Sequence, residues 1–364
     1  MREVRVELGE RSYPILIGEG LLLRAGHILS EHGVTKKSPI LIVTDDHVAP
    51  LYLSQMVQTL QDVGYSVTSH IIAGGEASKS LSNYESVMTT AIQAGLDRSS
   101  TVIALGGGVV GDLAGFVAAT YMRGIDFIQI PTTILAHDSS VGGKVAVNHP
   151  LAKNMIGVFH QPLLVLYDLG TLITLPPREV RSGLAEVIKH GLIWDEAFAQ
   201  WCGQNAEMLL KLSLPELGYA LERGCSIKAA VVSGDERELG QRAILNLGHT
   251  IGHALEAVGG YGTLLHGEAI AIGMVGAAQL AVNRGRSGSI VNQTIELLEK
   301  LELPTAVPAG WSSESIINAM MHDKKFREDQ IVFILPKSIG EVEIVKDIQI
   351  SEVYAVLEQL KKET

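Results

Sequence analysis

The residues of this chain best equipped for chemistry are histidines and glutamates in its second half. Asn246-Leu247-Gly248-His249-Thr250-Ile251-Gly252-His253 is followed a short loop later by His266-Gly267-Glu268, and upstream lies Glu186 with Lys189 and His190. Imidazoles at i and i+4 share one face of a helix, so His249 and His253 can reach a single point. A third imidazole and a carboxylate would complete a catalytic zinc site, with three protein ligands and an open position. A single histidine is more often a satisfied core residue than a ligand. Three within eighteen residues, flanked by glycines and by Asn246, weaken that reading. His249, His253, His266 and Glu186 are the candidate ligands, with His190 as an outsider, and spacing does not choose three of the four. Their order is unlike H-E-x-x-H, which disfavours a zinc protease. A zinc ion here would act as a Lewis acid on a hydroxyl or carbonyl.

A second chemical signal lies in the first half. Gly106-Gly107-Gly108-Val109-Val110-Gly111-Asp112 follows an apolar run and opens a helical one. Glycines let the backbone approach a pyrophosphate, and free N–H groups at a helix start can bind it. The spacing is not G-x-G-x-x-G, so alone it describes any tight strand-to-helix turn. Asp45 adds an acid at a strand end, where it can bond ribose hydroxyls. Gly74-Gly75-Glu76-Ala77-Ser78-Lys79 adds a second glycine turn with a carboxylate and a lysine, and Thr132-Thr133 adds hydroxyls after another strand. Together these favour NAD over a plain phosphate. Lys144, Lys153, Lys189, Lys228, Arg242, Lys324 and Lys325 all fall in or beside such segments, in a chain whose formal net charge is −11. Their coincidence with motif segments predicts a cationic pocket for a small anionic substrate.

The elements that must position these groups are of two textures. Strands are predicted at residues 39–44, 65–72, 101–105, 127–131 and 163–168, with helices over 51–63, stopped by Gly64, and over 84–94. This β-α-β order implies a largely parallel, nucleotide-binding sheet. After Pro176-Pro177 amphipathic helices prevail, interrupted by a hairpin from Gln330 to Lys346 that turns through Gly340. The expected fold is therefore α/β: an N-terminal Rossmann-like nucleotide-binding domain, residues 1–175, and a mainly α-helical metal- and substrate-binding domain, residues 176–364. A length of 364 residues also favours two cores. The net acidity argues against nucleic acid as a partner. The most apolar run, Ala269 to Val282, is too short to span a bilayer and reads as a buried helix. The alternating Met1–Leu8 segment is a strand pattern and not a signal peptide. Cys202 and Cys225, without metal-ligand spacing, suit a reduced, cytoplasmic setting.

Across essentially its whole length the chain resembles the 3-dehydroquinate synthase family of sugar-phosphate cyclases. The resemblance rests on Gly74-Gly75-Glu76…Lys79, Gly106 to Asp112, Pro131-Thr132-Thr133 and Asp138-Ser139-Ser140-Val141-Gly142-Gly143-Lys144. It continues through Asn148-His149-Pro150…Lys153-Asn154, Gly183 to Lys189, Arg242…Leu245-Asn246…Gly248-His249…Gly252-His253, His266-Gly267-Glu268 and Asp323-Lys324-Lys325. It implies zinc, or cobalt, on Glu186, His249 and His266, leaving His253 to contact substrate. It implies NAD on Asp45, on the turn carrying Glu76 and Lys79, on Gly107, Gly108, Val109 and Asp112, and on Thr132 and Thr133. Lys144, Lys153 and the Thr171-Leu172-Ile173-Thr174 segment are further cofactor contacts. Asp138, Lys144, Asn154, Lys189, Lys228, Arg242, Asn246 and Lys325 fall where the family binds substrate, and Arg123 matches an arginine that reaches across a homodimer interface. The Asp45-Asp46-His47 segment departs from the form common in that family.

The implied reaction turns 3-deoxy-D-arabino-heptulosonate 7-phosphate into 3-dehydroquinate and phosphate, a step of the shikimate pathway. It runs through transient oxidation by NAD, phosphate elimination, reduction, ring opening and an intramolecular aldol closure. A substrate with a carboxylate and a phosphate suits ammonium and guanidinium partners. On this reading Lys144, Lys153 and Asn154 hold the phosphate, and Lys228 and Arg242 serve the carboxylate and the zinc site. A 2-deoxy-scyllo-inosose synthase, whose substrate lacks the carboxylate, would need fewer cations. A metal-dependent polyol dehydrogenase would leave net NADH, and a non-catalytic NAD- or metal-sensing protein would bind without turnover. Two lobes flanking a cleft would also allow closure around the ligand.

Overall fold

The computed structural model describes residues 1–260, 262–321, 326–327 and 330–361. The chain divides into two compact units, Met1–Leu175 with Lys228–Arg237, and Pro176–Ile227 with Glu238–Thr364.

In the first unit the apolar runs become strands β1 (Arg2–Val6), β2 (Tyr13–Gly18), β3 (Ile40–Asp45), β4 (Val67–Ile72), β5 (Thr101–Gly106), β6 (Asp126–Pro131), β7 (Lys144–His149), β8 (Ala152–Phe159) and β9 (Leu164–Asp168). Seven form one sheet in the order β1-β2-β9-β6-β5-β3-β4. All its neighbours run parallel except β1 and β2. Continuous Val, Ile and Leu runs are what a parallel sheet covered on both faces demands. Alternation then sorts the side chains. Leu41, Val43, Val102 and Ala104 pack into one core and Ile40, Ile42, Ile103 and Leu105 into the other. The strand order reverses between β3 and β5, the place where doubly wound sheets bind ligands beyond their carboxyl ends.

The helices Ser54–Asp62 and Leu81–Gln93 lie where helical spacing places them, and Gly64 ends the first with a φ of 95°. Tyr65 falls outside β4 because its N–H closes the preceding helix on Leu60 O at 3.1 Å, while its hydroxyl donates to Val34 O at 3.0 Å, so the strand begins only at Val67. Neither β2 nor the β7–β8 hairpin is anticipated by the sequence pattern. The hairpin forms a separate two-stranded sheet, and most β8 side chains are exposed on both faces, so no apolar alternation marks it.

The second unit is mainly helical. Ala269 to Val282 lies within the helix His266–Asn283, whose small residues are almost all buried. Among the described residues no helix is long and apolar enough to cross a membrane. The expected hairpin pairs Gln330–Ser338 with Glu341–Ile348 around Gly340. Both cysteines are buried, and burial pushes the Cys202 thiol up, away from nucleophilic or ligand chemistry.

Candidate active site

In the second unit three helices bring the histidine–glutamate clusters together. Pro177 opens the helix Pro177–Trp194, where proline's fixed φ and missing N–H carry no penalty. Glu186, Lys189 and His190 follow at i, i+3 and i+4 and are buried on its inner face. The helix His249–Gly259 presents His249, His253 and Glu256 along one stripe. His266 is the first residue of the third helix, whose start is capped by Glu268 accepting from the Leu265 N–H at 2.8 Å. The same Glu268 receives Arg178 through two bonds of 2.7 Å, which ties the first turns of the Glu186 and His266 helices together. The Gly267 N–H also donates to Ser182 Oγ at 3.0 Å.

His266 Nε2 stands 3.2 Å and His249 Nε2 3.5 Å from Glu186 Oε1. Ligand atoms of these three residues all lie within 4.8 Å of one another. Tetrahedral ligands about 2.1 Å from a zinc ion stand about 3.4 Å apart, so the two separations suit one shared ion. Two imidazoles and a carboxylate are also a donor set of catalytic zinc sites. The second nitrogens are oriented too. His266 Nδ1 lies 3.1 Å from Glu256 Oε2 and His249 Nδ1 3.1 Å from Leu247 O, the outer contacts that fix a ligating histidine's tautomer. Glu186 and Lys189 are each 1% exposed and form an ion pair within their helix. A buried carboxylate requires such compensation.

His253, Glu256 and His266 form a second grouping of ligand atoms that shares His266, and half-buried Asp45 with exposed Asp46 and His47 forms a third. The rings of His253 and His266 lie 5.9 Å apart. Sequence reasoning left Glu256 out. The signal was present, because Glu256 stands three residues beyond His253 and seven beyond His249 on the same helical stripe.

Burial opposes the charge of His266, yet hydrogen bonds to Glu186 and Glu256 hold its imidazolium up to about 10. The metal-free site is therefore protonated at neutral pH, and metal uptake must expel that proton. The sign is fixed: apparent metal affinity falls as pH drops, by up to about tenfold per unit. Calorimetric titration in two buffers of different ionisation heat should reveal at least one released proton near pH 7. A buffer-independent heat would show that His266 binds no metal or is already neutral.

In the first unit the candidate nucleotide residues collect at the carboxyl ends of the parallel strands. Asp45 ends β3, and its Oδ1 accepts from the His47 and Val48 N–H groups, both at 2.9 Å. Asp46 Oδ1 accepts from the Gly74 N–H at 2.8 Å, which fixes the second glycine turn against the first corner. Within that turn Ser78 and Lys79 are buried. Lys79 Nζ donates to Asp112 Oδ2 at 2.6 Å and lies 3.7 Å from Glu76 Oε1, so residues from both glycine turns meet on one ammonium. Burial works against that charge, but Asp112 and Glu76 outweigh it and hold the Lys79 pKa above its usual value. Gly107 precedes the helix Gly108–Thr120, which carries Val109, Val110, Gly111 and Asp112 in its first turns. The Thr132 N–H donates to Gly106 O at 3.1 Å, and Thr133 Oγ1 accepts from the Ala136 N–H at 3.3 Å. Thr171 to Thr174 form a short helical turn after β9, where the Tyr52 hydroxyl contacts Thr174 Oγ1 at 2.7 Å.

The candidate substrate residues are divided between the units. In the first, Lys228 Nζ donates to both Asp138 O and Asp138 Oδ2 at 2.6 Å. Lys144, Lys153 and Asn154 lie on the hairpin with exposed side chains. Arg123 is exposed at a tight turn, with a φ of 71°. In the second, Arg242 is buried to 2% exposure and Asn246 Nδ2 donates to Glu238 Oε1 at 3.0 Å. Glu238 is a further polar group that sequence reasoning did not single out. Asp323, Lys324 and Lys325 lie outside the described residues.

Comparison with known proteins covers both halves of the chain. The family model for 3-dehydroquinate synthase N-terminal matches residues 69–182, and that for 3-dehydroquinate synthase C-terminal matches residues 183–326. A 3-dehydroquinate synthase of Desulforamulus reducens is 52% identical over 99% of this chain and 100% of its own length. One from a Shewanella species is 49% identical over 98% of this chain and 99% of its own length. Among solved structures, a 2-deoxy-scyllo-inosose synthase complexed with carbaglucose-6-phosphate, NAD+ and Co2+ superposes with a TM-score of 0.89 at 27% identity, covering 98% of this chain and 99% of that one. A glycerol dehydrogenase of Schizosaccharomyces pombe shares the fold, with a TM-score of 0.65 at 20% identity over 95% of this chain and 88% of that one.

Proposed function

The chain belongs to the 3-dehydroquinate synthase family, and on that premise we propose that it converts 3-deoxy-D-arabino-heptulosonate 7-phosphate into 3-dehydroquinate and inorganic phosphate. The observation that carries the reading is the meeting of buried Glu186 and His249 with half-buried His266 in one metal-competent cluster. When bound, NAD supplies a hydride acceptor that later returns the hydride, and a divalent ion, zinc or cobalt, polarises the hydroxyl being oxidised.

The chain's own residues then bind, orient and hold charge. In this reading Asp45 and Glu76 bond ribose hydroxyls, and the Gly107-to-Asp112 turn takes the pyrophosphate. Lys144, Lys153 and Asn154 take the substrate phosphate, which must be held while it leaves and while one of its own oxygens takes the adjacent C–H proton. Lys228 and Arg242 take the carboxylate. Lys228 arrives paired with Asp138, so a substrate carboxylate would exchange one anionic partner for another without leaving the ammonium bare. Lys189, Asn246 and His253 serve the hydroxyl groups, and Glu256 keeps His266 in one tautomer. Ring opening and aldol closure need mainly an enclosed, oriented intermediate.

The protein acts as a cytoplasmic homodimer in this reading. Exposed Met122, Met155, Val158 and Phe159 supply apolar surface beside Arg123 and on β8, of the kind that partner chains cover. A 2-deoxy-scyllo-inosose synthase activity is the second reading, favoured by the 0.89 superposition, but Lys228 and Arg242, each assigned to a carboxylate, would have no such group to meet on that substrate.

The test supplies the heptulosonate phosphate with NAD and zinc and follows products. Equal amounts of phosphate and dehydroquinate are expected, with no lasting NADH absorbance. Accumulating NADH, or turnover of a hexose phosphate in preference, would overturn the proposal.

A further inference from the structure

The Asn148-His149-Pro150 motif carries no part of the reaction as derived, yet Asn148 joins two pieces of it. Its N–H donates to Lys79 O at 2.7 Å, and its Nδ2 donates to Glu76 Oε1 at 2.7 Å. Its Oδ1 accepts from the Asn154 N–H at 2.8 Å. Ser80 and Asn148 also form an isolated parallel bridge. One planar amide therefore spans from the carboxylate of the glycine turn to the backbone of β8. An amide of this length does both, whereas an isosteric carboxylate lacks the donor and an alkyl chain lacks both groups.

The far end of this bridge is where support is needed. Asn154 holds a left-handed backbone, φ 56°, which asparagine adopts more readily than other side-chain-bearing residues but which a local contact still helps to fix. Lys153, Asn154 and Met155 are all exposed, so little packing fixes this stretch of β8. The hydrogen bond from the Asn154 N–H to Asn148 Oδ1 is thus a local restraint on it, between the flanking β7–β8 pairs Val147–Ile156 and His149–Ala152.

We propose that Asn148 is a positioning residue that couples the dinucleotide turn to the hairpin bearing Lys144, Lys153 and Asn154, so that filling the nucleotide site orders the groups awaiting the substrate phosphate. The proposal rests on the assignments of Glu76 to the nucleotide and of Asn154 to the phosphate made above. A ribose held by Glu76 fixes that carboxylate. The fixed carboxylate orients the Asn148 amide, and the amide's oxygen holds the Asn154 N–H. By linkage the coupling is reciprocal, so occupation of the hairpin by an anion tightens NAD binding by the same factor.

Hydrogen exchange of the amides in residues 144–159, measured on the full-length, zinc-loaded protein with and without saturating NAD, tests this. In the wild type NAD should slow exchange in the hairpin about tenfold, the worth of one or two hydrogen bonds. Asn148→Ala should lose that response and raise the KM for the sugar phosphate about tenfold, with kcat less affected. Asn148→Asp keeps the acceptor for Asn154 but sets a carboxylate against Glu76. Its exchange without NAD should match the wild type, and only the response to NAD should vanish, which a merely structural asparagine would not produce. Hairpin exchange that ignores bound NAD in the wild type, or a response retained in Asn148→Asp, overturns the coupling. Calorimetry showing that the wild type binds no NAD would overturn the nucleotide assignment itself, and the coupling with it.

Discussion

His266→Ala is expected to lower kcat/KM by about three orders of magnitude or more and to abolish stoichiometric metal retention. Polarisation by a bound ion is worth several kcal/mol in the transition state, and each 1.4 kcal/mol is tenfold in rate. His266 is the better probe than Glu186, because Glu186→Gln would also leave the buried Lys189 without its carboxylate. Stranding a buried charge in that way costs about 3–5 kcal/mol of stability and would confuse the two effects. Glu256→Gln is the graded control. It leaves all three ligands in place and removes only the charge behind His266 Nδ1, so a loss of about 10–100-fold in metal affinity is expected. Metal analysis and initial rates on purified variants check both. A His266→Ala protein that keeps full metal content and activity would contradict the site.

The second large effect concerns packing. A Cβ added at Gly273 would lie 2.0 Å from Gly248 O, and one at Gly267 would lie 1.9 Å from Ser182 O. Both neighbours are backbone atoms that cannot step aside without moving a helix. Gly273 belongs to the His266 helix and Gly248 immediately precedes His249, so this crossing sets the distance between two of the ligands. Gly273→Ala should destabilise the protein by about 3 kcal/mol or more, at or beyond the upper end of ordinary overpacking. It should also weaken metal binding, although no ligand is changed. Denaturant melts and metal titration of the variant provide the check, and wild-type stability would show that the helices have room to separate.

How far the sequence discloses this arrangement depends on what kind of interaction carries each part. The parallel strands were legible because they are buried on both faces, which forces long Val, Ile and Leu runs such as Ile40 to Val43 and Thr101 to Leu105. The helix from His266 was legible in the same way, as an apolar run of small residues. The β7–β8 hairpin was not, since β8 turns Lys153, Asn154, Met155 and Val158 outward and leaves no period-two contrast. The start of β4 was misplaced because Tyr65 is buried like a strand residue, while its N–H closes the preceding helix on Leu60 O and joins no ladder.

The candidate site divides along similar lines. Helical spacing put His249 and His253 on one face, but spacing within a helix has no information about Glu186 or His266, which arrive from other helices. The resemblance selected Glu186, His249 and His266, and the geometry places the Nε2 atoms of both histidines against Glu186 Oε1. What stayed hidden was which groups the supporting residues hold. Glu256 lies on the His249–His253 stripe and Asn148 in the Asn148-His149-Pro150 motif, but neither spacing nor motif names their hydrogen-bond partners, and Glu238 looks like any surface side chain in a sequence.

Anomalous diffraction at the zinc edge, from crystals of the metal-loaded protein, tests the central claim most directly. It should locate one strong site bonded at about 2.0–2.2 Å to Glu186, His249 and His266, with His253 outside the coordination sphere. An ion held instead by His253, Glu256 and His266, or by Asp45, Asp46 and His47, would contradict it.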